Sequence, residues 1–386
     1  MTLGETLAGK QVVVAVTGSI AAVECVKLIH ALRRKGAVVQ AVMSEAAAGI
    51  ITPDALAYAS GRPVITRISG LVEHVTYCGD DGSADLLLIA PCTANTISKI
   101  ACGIDDTPVT TFATTAIGSG MPVLVVPAMH HSMFRHPGLT ENIRKLEGWG
   151  IEVLSPRIEE GKAKIANIEE IVLWSERAVM GKPLAGKSVL ITSGPCREPV
   201  DDVRILTTRS SGQMGRELAH RAFRLGADVT VVHQDTFPCV HNIPSGTADE
   251  MRHAVLDHLA EHRGADIYIS AAAISDFAPV RKEGKIASGT PATIDLLPLK
   301  KLLGEVMERY APFTVAFKID RKPEKQAKAM IRNGVSLVLM NHPETMGNCT
   351  GDYELLTSEK KVRVKGTKED VAVTIWNEVL RTGKFS

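Results

Sequence analysis

Residues 11–44 read "QVVVAVTGSIAAVECVKLIHALRRKGAVVQAVMS", and this run decides the fold. "QVVVAVTG" is a nearly continuous apolar strand, "IAAVECVKLIHALRRKG" is an amphipathic helix closed by Gly36, and "AVVQAVMS" is a second strand. Near-continuous apolar strands separated by a helix belong to a parallel sheet covered on both faces. The pattern recurs downstream in "ADLLLIAP", a helix from about Ala94 to Cys102, and "PVLVVPA".

A second set begins at "KSVLITSG" and continues through helix "GQMGRELAHRAFRLG", strand "ADVTVVH", helix "ADEMRHAVLDHLAEH" and strand "ADIYISAAA". Strands at "FTVAFK" and "VSLVLMN" and a closing helix "VAVTIWNEVLRTG" complete it. The expected fold class is α/β, with two open, mostly parallel-sheet domains. "LAGKQVVVAVTG" near the start and "LAGKSVLITSG" from Leu184 echo one another, each entering the first strand of its set. The boundary therefore falls between Gly181 and Lys187, and the domains are taken as residues 1–182 and 183–386.

Bulk properties agree. A chain of 386 residues is too long for one ordinary core, and 45% hydrophobic against 23% charged residues is a packed globular composition. Lys plus Arg number 44 against 43 Asp plus Glu, so no global field draws the chain to nucleic acid or an acidic membrane, and an anionic ligand must be held locally. The seven cysteines are scattered without a CxxC pair, as in reduced cytosolic proteins. "MTLGETLAGK" lacks the apolar core of a signal peptide, and no run approaches the roughly 18 to 20 apolar residues of a membrane span. A cytoplasmic protein is expected.

"GKPLAGKS", residues 181–188, spells a phosphate-cradling GxxxxGK[ST] loop. That loop works only after a strand and before a helix, where its amides converge on phosphate. Here it follows a helix and opens a strand, so it reads as an interdomain turn, with Lys187 pointing away from any cradle.

In the first domain, Gly18 permits a sharp turn after the first strand, and Ser19 offers a hydroxyl and an amide to a single phosphate. Ser44 ends the second strand, Thr93 and Asn95 follow another, and "PAMHHSM" follows a third. The carboxyl ends of strands are where open α/β sheets bind ligands. His130, His131 and His136 come from one irregular loop with no nearby Asp or Glu partner, which argues against zinc. The joint pattern of "GSIAA", the lone His of "VEHVTYC", "APCTANTISKIACGIDD" and "PAMHHSM" resembles the flavin-dependent cysteine decarboxylases, in particular those acting on phosphopantothenoylcysteine. The resemblance spans about the first 180 residues and implies a flavodoxin- or Rossmann-like domain. It also implies FMN held by Gly18, Ser19, Ser44, Thr93 and Asn95, with His74 as the catalytic histidine. A carboxylate not β to a carbonyl needs an electron sink before CO2 can leave, which a flavin supplies by thiol oxidation. His74 suits proton acceptance in that step.

Two departures stand out. The family's PxMNxxM loop has His130 in place of Asn, still able to donate to a substrate carboxylate beside Met129; His131 and His136 are expected at the surface. The family's flap carries a Cys, but "SPRIEEGKAKIANIEE" has none. Either another donor serves, with Lys162, Lys164 and His130 available, or the second half-reaction is impaired.

In the second domain, "ITSGPCREPVDDVRILTTRSSGQMG" runs from a strand through an arginine-rich loop to a helix start. Ser210, Ser211 and Gly212 can line an anion site there, with arginines supplying charge; a plain NADP-binding domain has a similar outline. The segment resembles the phosphopantothenate-cysteine ligase signature TxGxTREPxDxVRxITNxSSGxMG. "AAAISDFAP", "GKIAS", "TVAFK" and "MNHPE" resemble its later elements, from Leu184 to the C-terminus. The resemblance implies a Rossmann-like ligase in which CTP, with Mg2+, activates 4'-phosphopantothenate as an acyl-cytidylate for attack by L-cysteine. Asp276, Phe317 and Asn341 match nucleotide-binding positions, and Lys285 matches the lysine near the reacting phosphate. Thr208 replaces the Asn that handles the acyl-cytidylate, with Arg209 beside it, and "KIAS" keeps one lysine of a usual cluster. Together the halves resemble the bifunctional enzymes of coenzyme A synthesis. Their flavin domain forms trimers and their ligase domain dimers, which implies a homo-oligomer, a dodecamer being one assembly that combines both symmetries. Two other readings are a flavoprotein fused to an NADP-dependent reductase and a catalytically silent flavin-binding regulatory subunit.

Overall fold

The computed structural model describes residues 4–159, 162–289, 291–345, 347–383 and 385, with residues 158, 159, 162 and 163 described through their backbone. The chain divides into two units, Met1–Gly181 and Lys182–Ser386.

The strands of unit 1 are β1 (Gln11–Val16), β2 (Val38–Met43), β3 (Leu86–Cys92), β4 (Val123–Pro127), β5 (Met129–His130), β6 (Glu152–Val153), β7 (Arg157–Glu159) and β8 (Lys162–Lys164). A parallel sheet runs β2-β1-β3-β4-β6. Alternate residues of β1 feed two cores, because successive strand side chains point to opposite faces. Val12, Val14 and Val16 pack with Leu28, Ile29 and Leu32 of helix Cys25–Arg34. Val13 and Ala15 share the other core with Phe112 of helix Pro108–Gly118 and Leu139 of helix Pro137–Gly148. The first amphipathic segment is broken into a 3-10 turn, Ile20–Glu24, and the α-helix that follows.

Unit 2 adds β9 (Ser188–Thr192), β10 (Arg197–Pro199), β11 (Ile205–Thr207), β12 (Asp228–His233), β13 (His241–Pro244), β14 (Ile267–Ser270), β15 (Phe277–Pro279), β16 (Leu296–Pro298), β17 (Phe313–Ile319), β18 (Leu337–Asn341), β19 (Thr350–Leu356) and β20 (Lys361–Thr367). Its sheet runs β13-β12-β9-β14-β17-β18-β19-β20, parallel as far as β18 and antiparallel over β19 and β20. Leu190, Val232 and Tyr268 pack against Met251, Val255 and Leu259 of helix Ala248–Glu261. The loop after Gly194, read as irregular, folds into an antiparallel ribbon of β10 and β11, and β15 pairs with β16 in a second ribbon. The closing helix starts earlier than its apolar period, at Lys368, because Thr367 and Asp370 form a capping box ahead of the first apolar residue.

The GxxxxGK[ST] sequence is no phosphate loop. Lys187 donates its backbone N–H to the Leu184 carbonyl, its ammonium lies 4.0 Å from Asp266, and Ser188 opens β9. Among the described residues no helix is long and apolar enough to cross a membrane.

Candidate active sites

In each unit the strand order reverses beside the first strand, between β1 and β3 and between β9 and β14. At such a point the connections leave in opposite directions and open a crevice beyond the carboxyl ends.

At the unit 1 crevice, Gly18 is required by close approach: a Cβ there would lie 2.6 Å from the Ala46 Cβ. Ser19 caps the 3-10 turn by accepting from the Ala21 N–H at 3.4 Å, and Ser44 caps helix Glu45–Ala48 by accepting from Ala47. Thr93 caps helix Ala94–Ala101 through the Thr96 N–H, and Asn95 is exposed in its first turn. The Ser19 and Ser44 hydroxyls each accept one intramolecular bond and keep a proton for a ligand, while the Thr93 hydroxyl also shares a hydrogen bond with the Thr96 hydroxyl at 3.1 Å. Thr17, which the motif reading missed, fastens the two strand ends: its hydroxyl donates to the Pro91 carbonyl at 2.8 Å and accepts from the Thr93 N–H at 3.0 Å. The signal was the residue before Gly18, uninformative without the pairing of β1 with β3. Hydroxyls, strand-end amides and a glycine with no room for a side chain fit the phosphate end of a flavin mononucleotide.

His74 lies on a short helix, Glu73–Cys78, outside this set. Cys78 is buried, Tyr77 donates to Gln40 at 3.1 Å, and the helix packs on helix Pro108–Gly118. Val72, before it, holds a left-handed φ of 47°, a strained state for a β-branched residue. The His74 Nδ1 is buried without a hydrogen-bond partner.

His130 is exposed on β5, and backbone register sets it opposite Lys162 in β8. The Cys-free flap region is thus a hairpin, β7 and β8, hydrogen-bonded to the loop that carries Met129 and His130. Of the flap calls, Glu160, Gly161 and the Lys162 side chain lie outside the described residues. His131 corrects the surface expectation: it is half-buried with its Nδ1 enclosed. His136 is exposed, but its Nδ1 accepts from the Gly138 N–H at 3.2 Å and caps helix Pro137–Gly148. Among the described residues no group of three His, Cys, Asp or Glu side chains is placed to hold a metal ion. Burial pushes Cys25 and Cys78 up to about 12, which leaves both thiols protonated and inert.

In unit 2, Thr208, Ser210, Ser211, Asp276, Phe317 and Asn341 come together around one cleft of about 1240 Å³ at the carboxyl ends of β14, β17 and β18. Gly212 holds a φ of 71° at the cap of helix Gln213–Arg224, and its carbonyl accepts from the Ser193 hydroxyl at 3.2 Å. Gly215 sits so near the end of β9 that a Cβ would lie 2.1 Å from the Ser193 Oγ. The Thr208 hydroxyl and the Asn341 Oδ1 are buried without partners, which is costly unless a ligand supplies them.

Arg209 and Lys285 do not line the cleft, and both are exposed. Lys285 rides on a loop clamped by two aspartates that the motif reading left without a role. Asp201 accepts the Ile286, Val203 and Arg204 N–H groups and the Arg204 guanidinium; Asp202 accepts Gly284 N–H and Arg281. The Ile286 amide above all, with the other donors, holds the Asp201 carboxyl well below the ordinary carboxylate range. Lys368, from the far end of the chain, also lines the cleft. No local signal marked it, since its partner Ser211 is 157 residues away.

Comparisons with known proteins follow the same division. Residues 2–180 match the Flavoprotein family, and residues 184–382 match the family described as DNA/pantothenate metabolism flavoprotein C-terminal domain. The chain is 43% identical over 391 residues to the coenzyme A biosynthesis bifunctional protein CoaBC of Thermococcus kodakarensis, covering 98% of this chain and 96% of that protein. It is 33% identical over 401 residues to the protein of the same name from Methanocaldococcus jannaschii, covering 99% and 96%. Among solved structures, the C-terminal domain of a coenzyme A biosynthesis bifunctional protein CoaBC is 26% identical with a TM-score of 0.44, covering 52% of this chain and 97% of that one. The FMN-dependent cysteine decarboxylase SpaF is 25% identical with a TM-score of 0.39, covering 42% and 93%.

Proposed function

The chain belongs to the family of bifunctional coenzyme A biosynthesis proteins, with a flavoprotein decarboxylase domain and a ligase domain, and from that premise we propose its two reactions and their residues. Residues 183–386 join 4'-phosphopantothenate to L-cysteine using CTP, and residues 1–182 decarboxylate the product with FMN to 4'-phosphopantetheine. One observation carries the reading: six residues drawn from four separated motifs of the second half meet in one cleft with two orphaned buried polar atoms.

In the ligase step the substrate carboxylate attacks the α-phosphorus of CTP and pyrophosphate leaves; the cysteine amine then attacks the acyl carbon and CMP leaves. Ser210, Ser211 and the Gly212 amide bind phosphoryl oxygens at the helix start. Thr208 donates to the acyl-cytidylate, and Asn341 accepts from a donor of the nucleotide. Asp276 and Phe317 line the same cleft. Lys285 and Arg209, outside it, reach phosphate by closure of their loops, with Asp201 and Asp202 as positioning residues. Mg2+ enters with the triphosphate, since no acidic cage stands ready among the described residues.

In the decarboxylase step, bound FMN supplies the electron sink for thiol oxidation. Gly18, Ser19, Ser44, Thr93 and Asn95 hold it, His74 takes the thiol proton, and His130 with Met129 binds the substrate carboxylate. Lys162, Lys164 or His130 serves as the proton source in place of the family's flap Cys. Leu71, Val72 and Val75 are exposed around His74, and Ile205, Leu206, Phe277 and Leu297 are exposed on the two ribbons of unit 2. Apolar surface of this kind supports a homo-oligomer, in which a second copy completes the flavin site.

Mass spectrometry of an anaerobic reaction with 4'-phosphopantothenate, L-cysteine, CTP and Mg2+ tests the whole. The expected products are 4'-phosphopantetheine, CO2, CMP and pyrophosphate. Accumulation of 4'-phosphopantothenoylcysteine limits the chain to ligation, and absence of turnover with FMN bound overturns the catalytic reading in favour of a regulatory subunit.

A further inference from the structure

We propose that Lys368 is the fixed counter-charge for a phosphoryl group bound at the start of helix Gln213–Arg224. The inference rests on the ligase reading of unit 2 and adds a residue that the motifs do not contain. Lys368 is 9% exposed, lines the cleft, and places its ammonium 3.4 Å from the Ser211 hydroxyl. No described carboxylate lies within ion-pair distance of it. The two acidic residues that follow it are engaged elsewhere: Glu369 lies 3.9 Å from Arg224, and Asp370 accepts the Thr367 N–H in the capping box.

A buried ammonium without a carboxylate is destabilising unless an anion completes it. Burial moves the Lys368 pKa down from its ordinary value, the direction expected of an ammonium lacking its counter-ion. The position is held from both sides. The Lys368 N–H donates to the Cys349 carbonyl at 3.2 Å, and the Trp376 indole, two turns along the same helix, donates to the Leu218 carbonyl of the helix that follows Ser211. The start of helix Gln213–Arg224, which lines the cleft through Ser211 and Met214, together with the Ser211 hydroxyl and a desolvated ammonium, makes a receptor for phosphoryl oxygens. In this enzyme that group comes from the nucleotide triphosphate or from the phosphate monoester of the acyl substrate.

The test uses the full-length protein with Lys368→Met and Lys368→Arg, titrated calorimetrically with CTP, with pyrophosphate and, separately, with 4'-phosphopantothenate. Lys368→Met is expected to weaken one of these partners by at least roughly thirty-fold, with Lys368→Arg keeping most of the affinity. Loss on CTP and pyrophosphate assigns the site to the nucleotide; loss on 4'-phosphopantothenate assigns it to the acyl substrate. Without ligand, Lys368→Met should melt at or above the wild-type temperature, because it removes an uncompensated buried charge. A lower melting temperature with all three affinities unchanged overturns the proposal and makes Lys368 structural. Wild-type protein that binds none of the three overturns the ligase reading itself.

Discussion

At the scale of single residues, the contacts that matter most are those that leave no room. Gly18→Ala would place a methyl 2.6 Å from the Ala46 Cβ and 3.1 Å from its carbonyl carbon, forcing apart the turns that follow β1 and β2. Overpacking of this kind costs about 1–3 kcal/mol, and here the strain falls on the flavin end of the sheet. The variant is expected to purify folded with a lower FMN-to-protein absorbance ratio, partly restored by adding Ala46→Gly; full FMN occupancy in Gly18→Ala would show that the approach is slack. Asp201 supports a pH prediction. Its carboxyl is held down by donors present only in the folded chain, so its contribution is complete above the ordinary Asp value of about 4 and is lost as pH falls through the depressed folded value. Asp201→Asn should lower the melting temperature of unit 2 at neutral pH. The gap from wild type should narrow as pH is lowered from about 6 to 3, and a gap that stays constant would contradict the assignment.

At the scale of elements, helix Gln213–Arg224 is seated on the end of β9 by the absence of a side chain at Gly215. A Cβ there would lie 2.1 Å from the Ser193 Oγ, 2.5 Å from its Cβ and 3.3 Å from its Cα. No rotamer of Ser193 relieves all three, so the helix must move off the strand, carrying the Ser210–Gly212 turn out of the cleft. Gly215→Ala is expected to remove cysteine-dependent CMP release while leaving FMN absorbance and decarboxylation of supplied 4'-phosphopantothenoylcysteine intact. Loss of both activities together would mean that the defect is not confined to this element. The hairpin of β7 and β8 shows the opposite relation, where an element places residues that sequence order does not. Lys162 comes opposite His130 by antiparallel register alone.

At the scale of the whole molecule, each unit closes its own core around its own sheet. Ligands should therefore act on the units separately. In a calorimetric scan, CTP at about a hundred times its Kd is expected to stabilise one transition by about 2.7 kcal/mol and leave the flavin-dependent transition in place. A single transition that moves as a whole would contradict independent cores.

Much of this was legible along the chain because it depends on local order. Apolar runs such as "QVVVAV" and "VLVVP" define strands buried on both faces, and a Gly, Ser or Thr directly after such a run marks the carboxyl end where ligands bind. The two α/β units and the positions of Ser19, Ser44, Thr93 and Ser210–Gly212 follow from that periodicity. The ribbon of β10 and β11 was hidden because β11 is exposed throughout and the one buried residue of β10 is the charged Glu198, so neither strand carries a buried apolar face. Strand order, the Thr17 tie between β1 and β3, the clamp of Asp201 and Asp202 on the Lys285 loop, and the seat of Lys368 beside Ser211 were decided only in three dimensions. Each joins residues from 74 to 157 positions apart. Contacts of that span form through shared burial and unpaired polar groups, which no local pattern records.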